Sequence, residues 1–524
     1  MALPNEKLAE SLAALKRLQD RHMVALRSSD LSRTHRERLV KNGFLQEVMK
    51  GWYIPSNPQQ RQGETTSWYA SFWDFCASYL GDRFGNDWCL APEPSLSFHA
   101  GNRTVPQQLL VRSPGGSNKP TALLYGTSIF DTRASMPAAR DVTEIDGLRL
   151  YALPSALVEV SPGFFTQKPT DARTALAMFS DASDILTRLL EGGHTIIAGR
   201  LAGAFRNIGR ERIADDIVRG MRAADFLVRE TDPFDTQLEL TLPRRETSPY
   251  AGRIRLMWQE MRGAVVDNFP EPPGRPNDVE GYLRRVDDVY ATDAYHSLSI
   301  EGYRVSPELI DRVRSGTWNP DRDAQDGEHR DALAARGYFQ AFEAVKRSVT
   351  SVLANENPGR VVDEDHGGWY RELFAPSVTA GIVKPADLAG YRSERVFIRN
   401  SMHVPLPPNA MRDAMPVFFE MLEQEEHPAA RVVLGHFTFV YIHPYMDGNG
   451  RMGRFLMNVM MAAGGYPWTV IPVQRRADYM AALERASTQL DIVPFARFIG
   501  ELVRRGMSGE RTAELPSGTR RPAE

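Results

Sequence analysis

The feature that most limits how this chain can fold lies at residues 430–456, where a long apolar run is broken by a proline and a glycine-containing loop. The run predicts a buried helix built from Val432, Val433, Leu434, Phe437, Phe439, Val440 and Ile442. We expect this helix to end at His443, because the residue before a proline is disfavoured in helical geometry. The loop Asp447-Gly448-Asn449-Gly450 follows, and a second helix is predicted from Arg451 to Ala463.

The loop leads into the first turn of a helix, which is a place where anions bind. Unpaired N–H groups and the positive end of the helix dipole lie there, and glycines let the backbone approach a ligand closely. Arg451 and Arg454 stand three residues apart on that turn and suit bidentate phosphate contacts. Asp447 suits Mg²⁺, and His443 suits general base catalysis near neutral pH. The segment therefore predicts a site for phosphoryl-type transfer.

Residues 443–454 read His-Pro-Tyr-Met-Asp-Gly-Asn-Gly-Arg-Met-Gly-Arg. This segment resembles the Fic signature, His-Pro-Phe-x-Asp-Gly-Asn-Gly-Arg-x-x-Arg. It departs from that signature at Tyr445, which retains an aromatic ring. The resemblance covers roughly residues 280–505 and implies a mainly α Fic domain with a small β-hairpin flap.

The resemblance also implies a role for each polar residue of the segment. His443 is implied as the base that deprotonates the target hydroxyl, and Asp447 as the Mg²⁺ ligand. The implied nucleotide-binding residues are Gly448, Asn449, Gly450, Arg451 and Arg454. Fic relatives that transfer phosphate carry lysine in place of the second loop glycine, so Gly450 favours transfer of AMP from ATP to a Ser, Thr or Tyr hydroxyl of a protein. Use of another nucleotide, or removal of AMP, stays open.

A zinc site formed by His436, His443 and Asp447 is the alternative for the same segment. These residues lack the short ligand spacing of zinc motifs, and a zinc site leaves both arginines unexplained. His436 lies inside the apolar helix, where we expect a hydrogen-bonded core histidine.

A second element lies upstream, at residues 293–302. Ser297 and Glu301 are four residues apart, which places them on one helix face, and Gly302 is a suitable helix end. Beside the Fic signature, this element resembles the inhibitory helix of that family, Ser/Thr-x-x-x-Glu-Gly/Asn. The resemblance implies that Glu301 pairs with Arg454 and denies it to the ATP γ-phosphate.

Residues 395–406 contain two short extended runs joined at Asn400-Ser401, which predict a β-hairpin. In the Fic family a flap at this place holds the protein target as an added strand, so the target is expected near Val396–Val404. Farther along, Tyr479 is expected either to flank the adenine or to pack in the core.

The N-terminal residues predict a small winged helix. A helix over 5–26, a second from Ser29 or Asp30 to Val40 and a hairpin over 44–54 follow the order of that fold. The second helix carries Arg33, Arg36, Arg38 and Lys41. Two interpretations stay open for residues 30–54: contact with DNA, or solvated charges on an interaction domain.

The segments Leu39-Val-Lys-Asn-Gly-Phe-Leu, Gly51-Trp-Tyr and Ala152-Leu-Pro-Ser-Ala-Leu resemble AbiEi-type antitoxins. This resemblance implies a winged helix followed by a mixed α+β domain. It raises a second function class, a DNA-binding regulator or toxin–antitoxin fusion that controls the Fic domain. The predicted organisation is a winged helix at 1–60, a mixed domain at 61–240, a proline-rich linker at 241–279, the Fic domain at 280–505 and a disordered tail at 506–524.

Composition excludes few functions. A chain of 524 residues is too long for one core, and a formal charge of −3 gives no general attraction for nucleic acid. Its two cysteines lack a metal or redox spacing, so buried thiols are expected. The first twenty residues carry charges throughout, unlike a signal peptide, and no apolar run is long enough for a membrane span. We therefore expect a cytoplasmic protein.

Overall fold

The computed structural model describes residues 4–59, 63–237, 248–318 and 329–516. The chain divides into two compact units. The first extends to Arg253 and also contains Phe397–Pro405, and the second contains Ile254–Val396 and the residues from Leu406 onward. Each unit is described separately below.

The first unit begins with two helices and three short strands. They are α1 (Pro4–Gln19), β1 (Leu26–Arg27), α2 (Arg33–Lys41), β2 (Leu45–Met49) and β3 (Trp52–Pro55). The strands form an antiparallel sheet in the order β1-β3-β2, which confirms the predicted hairpin. The first helix is shorter than predicted, because His22 has a φ of 59° and Leu26 pairs with Tyr53 in the sheet.

The remainder of this unit mixes helices and strands. The first elements are α3 (Thr66–Phe84), β4 (Cys89–Leu90), α4 (Pro92–His99), β5 (Gln108–Ser113), β6 (Pro120–Ala122), β7 (Ser128–Arg133), β8 (Val142–Ile145) and β9 (Leu148–Tyr151). Six helices follow: α5 (Leu153–Glu159), α6 (Phe164–Gln167), α7 (Pro169–Ala177), α8 (Ser183–Gly192), α9 (Thr195–Asn207) and α10 (Glu211–Ala223). One sheet has the order β4-β5-β7-β6, with β5 and β7 parallel. Both cysteines are free and buried, as expected.

The second unit is helical. Its elements are α11 (Pro249–Asn268, whose first turn belongs to the first unit), α12 (Val279–Ile300), α13 (Pro307–Arg314), α14 (His329–Leu353), α15 (Pro358–Thr379), α16 (Met411–Gln424), α17 (Pro428–Ile442), α18 (Asn449–Gly464), α19 (Arg476–Gln489) and α20 (Val493–Met507). This content confirms the predicted mainly α fold. The apolar helix α17 packs against α18, and nearly every side chain of both is buried.

A helix, α11, forms over 249–268, within the segment predicted to be a proline-rich linker at 241–279. Proline is tolerated in the first turn of a helix, where Pro249 stands, and the next proline is Pro270. The dense prolines therefore flank a helix-compatible segment. Residues 241–247 of that linker lie outside the described residues.

The predicted tail at 506–524 is described only in part. Helix α20 ends at Met507, and a ring nitrogen of His296 lies 3.1 Å from the carbonyl oxygen of Glu514. Residues 517–524 lie outside the described residues. Within the described ranges, no helix combines the length and apolar character needed to cross a membrane.

Residues 397–405, which we call the strap, do not form the predicted hairpin. Within the strap there is a turn, in which the Ser401 N–H donates to Ile398 O (3.2 Å), and there is no strand pairing. The reason is that other parts of the first unit take its polar groups. Asn400 Oδ1 accepts from the Thr65 N–H (3.0 Å), and Met402 O accepts from the Val105 N–H (2.9 Å).

Side chains also fix the strap within the first unit. Arg399 pairs with Glu64 at 2.8 Å, and the Asn400 N–H donates to Thr66 Oγ1 at 3.1 Å. Met402 and Val404 pack against the apolar core beneath α3. The strap is thus a fixed part of the first unit, although its neighbours in sequence belong to the second.

Replacing Asn400 tests how the strap is held. Asn400 has a φ of 58°, a left-handed conformation that costs most L-residues about 1–2 kcal/mol. Asn400→Ala should speed amide hydrogen exchange across the strap by about tenfold, since strain is added to the lost hydrogen bond. Asn400→Gly removes the same bond without that strain and should have a smaller effect. Exchange in Asn400→Ala equal to that of the wild type contradicts this account.

Candidate active site

The end of α17 places His443 in an unusual backbone conformation. Its φ of 56° and ψ of 61° are left-handed, and its N–H closes the last turn of the helix by donating to Phe439 O at 3.0 Å. Pro444 prevents the helix from continuing. The predicted helix end is therefore confirmed, and the side chain that follows the apolar helix is held at a sharp turn.

The imidazole of His443 is oriented by one backbone bond. Nδ1 lies 3.1 Å from Val440 O, so Nδ1 carries the hydrogen and Nε2 is left with a lone pair. Burial, together with the nearby Arg392 cation, lowers the pKa of His443 to about 4 despite the opposing hydrogen bond to Val440 and the carboxylates of Glu301 and Asp447. The ring is consequently neutral near pH 7, as a proton acceptor must be.

The loop between α17 and α18 is held by Asn449. Its Oδ1 accepts from the Tyr445 N–H (2.9 Å), and its Nδ2 donates to Tyr445 O (2.8 Å). Gly448 has a φ of 80°, and a Cβ there would lie 2.9 Å from the Phe374 ring. Asp447 Oδ1 accepts from the Gly448 N–H at 2.6 Å, while the Asp447 side chain remains 64% exposed. These contacts fix the loop and leave one carboxylate open to solvent.

Arg451 is buried beneath this loop with unused hydrogen-bond donors. Its guanidinium lies between the rings of Tyr303 and Phe374, at 5.2 and 5.1 Å from their centroids. Only 1% of its side chain is exposed, and its Nε and Nη2 have no hydrogen-bond partner among the described residues. The Asp447 carboxylate lies 3.6 Å from Nη2, and the Glu301 carboxylate also interacts with the guanidinium. Buried donors of this kind are normally hydrogen-bonded. A bound anion would accept hydrogen bonds from these N–H groups of Arg451.

Arg454 is bound by α12 through its Nε and Nη2, whereas its buried Nη1 has no hydrogen-bond partner among the described residues. Its Nη2 donates to Glu301 Oε1 at 2.7 Å and to Ser297 O at 3.1 Å, and its Nε donates to Ser297 Oγ at 2.8 Å. A Cβ at Gly450 would lie 2.3 Å from Glu301 Oε1. The Glu301 carboxylate therefore rests directly on the loop. Burial raises the pKa of Glu301, but Arg454 and Arg451 outweigh that effect, and the net shift is downward.

All the site residues expected from the sequence between 297 and 454 lie together in the second unit. His436 and Tyr479, for which a role in the hydrophobic core is one of the predictions, pack together beside the site. His436 Nε2 lies 2.7 Å from the Tyr479 hydroxyl, and both residues are buried, so the structure favours the core role for Tyr479. Asp293 and Arg392 were not singled out by sequence reasoning. Burial raises the pKa of Asp293 to about 6, although Tyr338 donates to its carboxylate at 2.6 Å.

The basic side chains of α2 are mostly engaged within the first unit. Arg33 pairs with Glu37 at 2.7 Å, and Arg36 donates to Ser28 O at 2.5 Å. Arg38 donates to Lys7 O at 2.6 Å and to Ser11 Oγ at 2.9 Å. DNA contact through residues 30–54 stays a prediction, as do the winged-helix and AbiEi-like assignments.

Part of the second unit is similar in sequence to known proteins. Residues 369–461 match the model of the Fic/DOC family, and the chain thus contains a Fic-type domain. A protein adenylyltransferase Fic of Nematostella vectensis is 31% identical over 279 residues, 52% of this chain and 61% of that protein. The protein of the same name from Drosophila grimshawi is 30% identical over 46% of this chain and 47% of its own length. The chain therefore spans about half to three-fifths of these curated relatives.

One solved structure, Fic-1 from C. elegans, aligns with 63% of this chain and 91% of its own. The sequence identity is 19% and the TM-score is 0.36. At these values the alignment supports no conclusion about this chain.

The acid stability of the protein should report the neutral state of His443 together with that of His436, whose pKa burial also lowers to about 4. In the unfolded chain a histidine titrates near its ordinary pKa of about 6.5, whereas the folded value is about 4. Between these values the unfolded state binds more protons, so the free energy of unfolding should fall as the pH drops from about 6.5 to 4. Histidine NMR should show His443 neutral down to about pH 5. Titration near its ordinary pKa contradicts this assignment.

Proposed function

We propose that the chain transfers AMP from Mg²⁺-ATP to a Ser, Thr or Tyr hydroxyl of a protein, and that its own Glu301 inhibits the reaction. The observation that carries this proposal is the buried Arg451, whose unused N–H groups lie beneath a glycine-containing loop at the start of α18. The names of the curated relatives support adenylyl transfer.

The nucleotide phosphates are the anions that suit this site. The first N–H groups of α18 have no partner within the helix and lie at the positive end of its dipole. Arg451 adds a buried guanidinium, a group that suits phosphate oxygens. Gly450 leaves the space above the loop free of a Cβ, and the carboxylate of Glu301 lies there. Gly448, Asn449 and Gly450 are proposed to bind the α- and β-phosphates, with Arg451 and Arg454 on the outer phosphates.

His443 is proposed as the general base. Its neutral ring presents Nε2 as the acceptor, because Nδ1 is used by Val440 O. The hydroxyl oxygen of the target forms a bond to the α-phosphorus, and the bond from that phosphorus to the pyrophosphate oxygen breaks. The hydroxyl proton passes to Nε2, and the products are the AMP-modified protein and pyrophosphate.

Asp447 is the residue proposed to hold Mg²⁺. Among the described residues, no three His, Cys, Asp or Glu side chains are grouped to bind a metal. Mg²⁺ needs no such cage in a nucleotide site, since substrate phosphates and waters supply most of its ligands. The exposed Asp447 carboxylate fits that requirement. When bound, the ion neutralises phosphate charge.

Glu301 is proposed to inhibit by taking the place of a phosphate. Its carboxylate makes a charge-assisted bond to Arg454 and lies over Gly450, so it uses groups that the outer phosphates need. Ser297 strengthens this state by binding the same guanidinium through both its hydroxyl and its carbonyl. ATP bound beside Glu301 is expected to lack its contact with Arg454. Docking of the target near Val396–Val404 remains part of the proposal.

Removing the Glu301 carboxylate should activate the protein. A hydrogen bond to a charged group is worth about 1.5–3 kcal/mol, so Glu301→Gly should raise labelling from ATP radiolabelled at the α-phosphate by about tenfold to a hundredfold. The measurement is labelling of the chain itself or of lysate proteins, with the mass of the modified peptide. Glu280→Gly, in the exposed first turn of the same helix, is the matched control and should not activate.

A second change separates inhibition from chemistry. His443→Ala in the Glu301→Gly background should reduce labelling by about 10²–10⁴-fold, the usual contribution of a general base. Unchanged labelling in a folded Glu301→Gly variant refutes self-inhibition. A phosphate or UMP mass on the peptide refutes AMP transfer.

The role of Asp447 predicts a change in the metal requirement. In the Glu301→Gly background, Asp447→Asn should raise the Mg²⁺ concentration for half-maximal labelling by about tenfold, because a charged ligand is lost. EDTA should stop labelling by both proteins, and added Mg²⁺ should restore it. An unchanged Mg²⁺ dependence means that Asp447 is not the ligand.

A further inference from the structure

Arg392 is a buried cation in the second unit that the proposed reaction does not use. Its exposed fraction is 4%. In the described part of the chain, no carboxylate lies within ion-pair distance of its guanidinium. Burial lowers its pKa to about 10. A buried charge without a counterion is costly, so the contacts that compensate it are informative.

Those contacts are backbone carbonyls on both sides of the His443 turn. Arg392 Nε donates to His443 O at 2.7 Å, and Nη2 reaches Ile442 O at 3.5 Å. The Arg392 N–H donates to Pro444 O at 2.9 Å. One residue thus binds three consecutive carbonyls of the turn at which the proposed base is held.

The same guanidinium binds the chain on either side of the strap. Nη1 donates to Glu394 O at 3.0 Å, and Nη2 also donates to Leu406 O. Glu394 precedes the strap, and Leu406 follows it directly. Arg392 therefore ties the two points where the chain leaves and re-enters the second unit to the backbone of His443.

We propose that Arg392 is a positioning residue for the transfer reaction, one that holds His443 in its left-handed turn and fixes both flanks of the strap to that turn. This inference rests on the proposed function. The left-handed conformation is unfavourable for a histidine by about 1–2 kcal/mol, so it needs support from outside the turn. The Arg392 side chain supplies that support at His443 O and Ile442 O through planar, fixed donors, which a lysine ammonium cannot reproduce at both carbonyls. The backbone N–H bond to Pro444 O is retained in a variant of this side chain.

The nucleotide pocket does not depend on these contacts. The loop from Tyr445 to Asn449 is held by the Asn449 side chain, and Arg451 is held between two aromatic rings. Loss of Arg392 should therefore misplace the base while ATP binding persists. Misplacement of a catalytic group by about 1 Å can cost a hundredfold in rate. If Arg392 served only the stability of the fold, its loss would instead weaken folding and ATP binding together.

The test measures kcat and the KM for ATP in the Glu301→Gly background, with ATP labelled at the α-phosphate as the probe. Arg392→Lys and Arg392→Met should each lower kcat by about tenfold to a hundredfold, with a KM within about twofold of the parent. Arg392→Lys retains the cation and serves if Arg392→Met does not fold. Arg431→Met is the matched control, because Arg431 donates to Leu422 O at 3.3 Å but does not contact the turn.

Each outcome bears on one hypothesis. A parent Glu301→Gly protein that transfers no AMP refutes the proposed function. An active parent with unchanged kcat in folded Arg392→Lys or Arg392→Met refutes the positioning role. So does a raised KM with unchanged kcat, which would assign Arg392 to nucleotide binding, or an equal loss of kcat in Arg431→Met.

Discussion

The interruption between α17 and α18 is the constraint on which the site depends. A largely buried apolar helix must stop at Pro444, and the residue that caps it, His443, takes a left-handed conformation. The next helix begins at Asn449. The side chain of Asn449 bonds to the N–H and the carbonyl of Tyr445 and so fixes the loop between the two helices. The imidazole of His443, the first turn of α18 and the guanidinium groups of Arg451 and Arg454 are thereby placed together by one break in the chain. Because both helices are buried in the core, the break has little freedom to move.

In the proposed function, the same electrostatics favour both the nucleotide phosphates and the carboxylate of Glu301. A site that gathers helix N–H groups and guanidinium donors attracts any carboxylate within reach, and Glu301 is within reach. On that proposal, ATP in its productive pose competes with an intramolecular anion. The buried pair lowers the pKa of Glu301 after its burial cost is met, so the carboxylate stays charged at neutral pH. The proposed inhibition would then be released by displacement of Glu301 rather than by its protonation.

Local features of the sequence point to His443–Arg454 as the candidate site because these residues form one segment of twelve. The proline, the glycines and the arginine spacing of residues 443–454 each have a local physical meaning. The pairing of Glu301 with Arg454 joins residues that are far apart in sequence. Its prediction comes from the resemblance to the Fic family and not from a local pattern. No local sequence pattern marks Arg392, because its partners include backbone carbonyls as far along the chain as Pro444. The strap contains extended runs that suit a hairpin, but partners more than 300 positions away in sequence take its polar groups. Proline density similarly marks 241–279 as a linker, although the prolines spare the interior of α11.

The strap makes the boundary between the two units discontinuous in sequence. A fragment beginning at Ile254 would retain Phe397–Pro405 yet lack Thr65, Glu64 and the apolar core on which that segment rests. Such a fragment would expose backbone groups and side chains that are satisfied in the whole chain. The first unit would in turn lose a segment from the edge of its core. Separating the halves by truncation therefore creates two incomplete units, and comparisons of regulation are better made by point substitution in the intact chain.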